Sequence, residues 1–109
     1  MDLKILQSWA EEEVAAVTKV LPEEMQTDVK NAVILYADKA SEEEIYADSY
    51  DDPPVWVDDS VTPPVIQFFL NTIWMMSGED EQDFRDEVGM IALDEWSLLF
   101  DWDGNELTE

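Results

Sequence analysis

The stretch "MIALDEWSLLF", Met90 to Phe100, decides how this chain is read. It has the residue types of a helix, yet it sets two adjacent acids, Asp94 and Glu95, among apolar neighbours. Counting from Phe84 at about 100° per residue, Phe84, Val88, Ile91, Leu98 and Leu99 fall within one arc. Glu95 falls in the middle of that arc, and Asp94 at its edge beside Leu98. A carboxylate at the centre of an apolar stripe is costly unless it is paired or protonated. Glu95 is therefore expected to be buried. It would pair with a cation such as Arg85, take a hydrogen bond from a backbone donor or water, or lose its charge through a raised pKa.

Outward from this helix, the rest of the chain falls into short elements. "EDEQDF", Glu79 to Phe84, places acids at the helix N-terminus, where the macrodipole favours them. "VIQFFL", Val65 to Leu70, reads as a strand, and "NTIWMMSG" as a short helical segment ending at Gly78. At the other end, residues 2–20 form a first helix. Leu3, Leu6, Ala10, Val14 and Val17 recur at helical steps and make one apolar stripe. Pro22 with Glu23 and Glu24 behind it opens a second, short helix that ends near Lys30. Val33 to Tyr36 is a strand-type run. Residues 39–64 are acidic and hold two Pro-Pro pairs and isolated aromatics, which predicts a long surface connection with a short strand at Val55–Val57. "DWDGNELTE" closes the chain as turn and tail.

Composition narrows the chemistry. The 109 residues suit one domain, and a hydrophobic share of 46% with five Trp supplies a core despite a net charge of −23. There is no His and no Cys, which removes the commonest transition-metal ligands, the usual general base and the thiol nucleophile. Any metal would need oxygen ligands, as calcium or magnesium accept. Twenty-eight acids against five basic residues speak against direct contact with nucleic acid or acidic membranes, because phosphates need Lys and Arg. No apolar run is long enough for a membrane span. The N-terminus reads as helix rather than signal peptide, and the lack of cysteine points to the cytoplasm.

Several segments together resemble a known family, the minimal zincin-type metallopeptidase-like proteins, which are small bacterial single-domain chains. The segments are "LPEEMQTDVKNAVILYAD", "TPPVIQFFLNTI" and "DEQDFRDEVGMIALDE" followed by "WSLLFD", in that order along nearly the whole chain. The family's active helix carries His-Glu-x-x-His, followed shortly by Phe-Gly and an acidic segment. The resemblance implies a zincin-like α+β domain with a short sheet flanked by helices and the former active-site helix last.

The departures from that family matter more than the match. In His-Glu-x-x-His, two imidazoles one helical turn apart grip zinc and the Glu between them activates the bound water. By position, Asp94 and Leu98 stand where the two ligands belong, and Glu95 stands at the general-base position. Leu98 cannot ligate, one carboxylate does not hold zinc, and Asp101 replaces the glycine that commonly follows. The resemblance thus implies a degenerate, catalytically inactive homologue with no cofactor.

Other constellations weigh less. Asp101, Asp103 and Asn105 have the opening spacing of an EF-hand loop, but Gly104 is misplaced and no bidentate Glu follows at the right distance. Asp94, Asp101 and Asp103, with Glu95, would make an oxygen site for magnesium or calcium only if the tail folds back, which would suit a carboxylate-metal hydrolase. Acid pairs such as Asp51-Asp52 and Asp58-Asp59 arise readily among so many acids. The charge itself suits an acidic inhibitor or nucleic-acid mimic that binds a basic partner, with exposed Tyr46, Tyr50 and Trp56 as contact anchors. The expectation is a single α+β domain over residues 1–109, not an enzyme, acting by binding an unidentified protein.

Overall fold

The computed structural model describes residues 1–38 and 54–100. Helix α1 runs over Leu3–Lys19, and its first turn is capped by Asp2, whose carboxylate accepts from the Lys4 amide at 2.8 Å. Leu6, Ala10 and Val14 of the expected stripe are buried, with Leu3 and Val17 packed against them. Helix α2 covers Glu23–Lys30, directly after Pro22, and buries Met25 and Val29.

Three strands follow: β1 (Val33–Ala37), β2 (Val55–Asp58) and β3 (Val65–Phe69). They form one sheet in the order β1-β3-β2. β3 is parallel to β1, with Val33 opposite Val65, and antiparallel to β2, with Val55 opposite Phe68. Strand alternation sends Ile34, Tyr36, Val55, Val57, Ile66 and Phe68 to the helix-covered face. Tyr36 stacks on Phe68 there, with ring centroids 5.8 Å apart.

Leu70 is not the end of the strand but the first residue of α3 (Leu70–Met76). This short helix stops in a Schellman turn. The Glu79 amide donates to the Trp74 carbonyl at 3.0 Å and the Gly78 amide to the Met75 carbonyl at 3.2 Å. Gly78 holds the left-handed conformation at φ +69°, which a side chain would resist. The chain then enters α4 (Glu81–Leu99), capped by Asp80, whose side chain accepts from the Asp83 amide at 3.0 Å.

The observed architecture is a mixed α+β domain of four helices and a three-stranded sheet among the described residues. The rotation of α4, however, differs from the sequence expectation. Its buried residues are Phe84, Val88, Gly89, Ala92 and Trp96. Each four-residue step advances the stripe by about 40°, so the buried face winds round toward Trp96 and away from Leu98. Leu98 is 79% exposed, and Glu95 lies half-buried at the margin instead of at the centre. The helix has aliphatic residues on several sides, so periodicity admits more than one arc. The bulk of Trp96 and the small Gly89 and Ala92 facing the other helices select the one observed.

This rotation makes a direct prediction for stability. Trp96→Ala should lower it by about 3–5 kcal/mol, whereas Leu98→Ala should change it by no more than about 0.5 kcal/mol. Urea denaturation of the two variants checks both.

Candidate functional site

Helix α4 carries Asp94, Glu95 and Leu98. Its first turn is stabilised by the Asp80 cap and by Glu81 and Asp83 at the positive end of the helix dipole. Its last turn closes with the Phe100 amide donating to the Trp96 carbonyl at 2.9 Å. Asp94 and Leu98 are four residues apart, so they neighbour each other on one face. Both are exposed.

Glu95 sits between that open face and the buried stripe. Its pKa is raised above the ordinary glutamate value, first by desolvation and then by the charge of the adjacent Asp94. No pairing with Arg85 occurs. The Arg85 guanidinium instead donates to Glu12 at 2.9 Å, Glu13 at 3.5 Å and Glu81 at 3.0 Å. It also lies over the Trp9 ring, 5.7 Å from the centroid. Arg85 therefore ties α1 to the first turns of α4, and Glu95 is left with a raised pKa and no ion pair to Arg85.

Asp94 and Leu98 do not make the ligand pair that a catalytic zinc needs. Leu98 offers no ligand atom, and among the described residues no three His, Cys, Asp or Glu side chains gather as a metal site requires. Asp101 and Asp103 lie outside the described residues, as do Tyr46, Tyr50, Asp51 and Asp52. Asp58 is held in a local turn, accepting from the Ser60 amide at 2.9 Å and from the Ser60 hydroxyl, and these bonds lower its pKa. Trp56 is half-buried in β2 opposite Gln67, not an exposed anchor, because the sheet pairing holds it against β3. A depression on α1 lined by Lys4, Gln7, Ser8, Glu11 and Glu12 includes none of the α4 residues.

What the sequence did not reveal is the exposed line on α4. Met90 is 57% exposed and stands two turns before Leu98 on the same side. The signal was the eight-residue spacing of two apolar residues with Asp94 between them. Leu98 also fits the apolar arc counted from Phe84, which hides that line in the sequence.

Compared with known protein families and with curated proteins, the chain matches no family model and no curated sequence. Among the described residues no helix is long and apolar enough to cross a membrane.

The environment of Glu95 sets a pH-dependent expectation. Its folded pKa is higher than its unfolded one, so the fold disfavours the ionised form. The stability associated with the neutral form is fully present below the ordinary glutamate pKa of about 4.3 and is lost as pH rises through the raised value. Glu95→Gln, always neutral, should therefore be more stable than the parent chain at pH 7. The gap should close as the pH falls toward 4. Urea midpoints across that range check the sign.

Proposed function

We propose that this protein is a catalytically inactive homologue of the zincin-type metallopeptidases that acts by binding another protein. One observation carries the reading. Asp94 and Leu98 stand one turn apart on the solvent face of α4, where a pair of histidines would have room to grip an ion, while Glu95 beside them is half-buried. An exposed leucine and a partly buried acid, side by side, are poor choices for a helix shaped only by its own packing. They make sense on a helix whose motif once held metal and a general base. The resemblance of the segments before it, in the same order, supports the same history.

With Leu98 unable to ligate and no imidazole in the chain, water activation by zinc has no donor set here. What remains is a shaped, acidic surface. Zinc titration by calorimetry, comparing the parent chain with Asp94→His/Leu98→His, tests the ancestry. Silence from the parent and tight binding by the double variant are expected. Zinc binding by the parent would overturn the inactive-site reading, and silence from both would remove the main support for the ancestry.

The charge favours a second reading, an acidic inhibitor or nucleic-acid mimic unrelated to zincins. The observation behind it is that the buried core contains no carboxylate, so the acids of the described residues remain at or near the surface. If this is right, affinity for a nucleic-acid-binding protein should fall steeply with added salt. A salt-independent affinity for such a protein would count against mimicry.

A further inference from the structure

The solvent face of α4 is unlike the outer face of an ordinary surface helix. At about 100° per residue, Asp83, Glu87, Met90, Asp94 and Leu98 fall within an arc of about 80°. That arc is opposite the buried stripe. Over a rise of about 1.5 Å per residue, the row is roughly 22 Å long. It mixes three acids with two apolar residues: Met90 and Leu98 are 57% and 79% exposed, Asp83 and Asp94 are exposed, and Glu87 is half-buried. Asp86 flanks the row and accepts from Gln82 at 3.0 Å.

No cation of the described chain neutralises this face. Arg85, the one basic residue in α4, is turned to Glu12, Glu13 and Glu81. The ion pairs found among the described residues all belong to Arg85, and none includes Asp83, Glu87 or Asp94. A ligand that covers Met90 and Leu98 must lie beside these carboxylates, so it must bring positive charge as well as apolar side chains. A second copy of this chain, itself at −23, does not meet that condition. A bare polycation would leave the apolar residues uncovered.

We propose that the face of α4 from Asp83 to Leu98 is a docking surface for a cationic amphipathic helix of a partner protein. Apolar anchors on such a helix would cover the flexible Met90 and the protruding Leu98, and flanking Lys or Arg would meet Asp83, Glu87 and Asp94. The carboxylates would set orientation and association rate, and the apolar contacts the residence time. This surface rests on the reading that the protein works by binding, and it is independent of the zincin ancestry.

The test uses the full chain labelled with 15N and two synthetic probes at physiological ionic strength. One is a leucine-lysine peptide in amphipathic helical order, and the other an oligolysine of equal charge. The amphipathic peptide is expected to shift amides along α4 and to bind at least about tenfold more tightly than oligolysine. Met90→Ala/Leu98→Ala should weaken it by at least about tenfold with an unchanged urea midpoint. Glu87→Gln/Asp94→Asn should weaken it in a salt-dependent way. The proposal is overturned if the peptide does not bind, if oligolysine binds equally well, if the shifts centre on the acids of α1, or if the Met90 and Leu98 variant binds as the parent does. Zinc binding by the histidine variant bears on ancestry alone, so failure of either idea is seen separately.

Discussion

The contact between α1 and α4 is the constraint on which the rest of the molecule depends. Trp9 packs against Phe84 and Trp74, with ring centroids about 6 Å apart, so one aromatic cluster joins α1, α3 and α4. Farther along, Gly89 lets the helices approach so closely that an added Cβ would lie 3.3 Å from a Val17 methyl carbon. Between these points Arg85 reaches from α4 to Glu12 and Glu13. Three contacts of different kinds along one interface leave α4 a single rotation. That rotation puts Trp96 inside and Asp94 and Leu98 outside. It also leaves Glu95 on the boundary, where half-burial raises its pKa.

Much of the fold was legible because most elements carry one signal only. In α1 the apolar residues occupy a single face, so periodicity identifies both the helix and the side it buries. Pro22 marks the start of α2, and the β-branched runs at Val33 and Val65 are too short and too apolar to be anything but strands. The short strand at Val55 extends one residue beyond expectation, to Asp58. α4 was harder. Ile91, Leu93, Leu98 and Leu99 surround it, and a rotation cannot be read from a helix that is apolar on several sides. Its neighbours decide, through the space they leave for Trp96. The same limit applies to Arg85: two of its partners, Glu12 and Glu13, are on a helix 73 and 72 residues earlier, a relation no local pattern encodes.

The charge distribution complements this packing. Among the described residues the core is apolar, and its polar members are Thr72 and Ser77. Ser77 donates to the Ile73 carbonyl at 2.8 Å. With the acids kept at or near the surface, their mutual repulsion opposes compaction. The aromatic cluster and the sheet core must outweigh it, and Arg85 relieves it where three carboxylates converge. A sequence so acidic can fold because its apolar residues are concentrated in few, well-filled contacts.

The strand order has a consequence for how the chain comes together. Among the described residues β1 and β2 pair only with β3, the central strand and the last of the three in the sequence. β2 can join β3 early, through a short antiparallel connection. β1 has to wait, because its parallel partner lies beyond the whole segment from Val33 to Val65. On a ribosome, β1 would emerge before β3, its partner among the described residues, leaving Ile34 and Tyr36 without that cover, a condition that favours delay and self-association. The acids on that same half repel those of a neighbouring chain, which opposes such self-association before the sheet is complete.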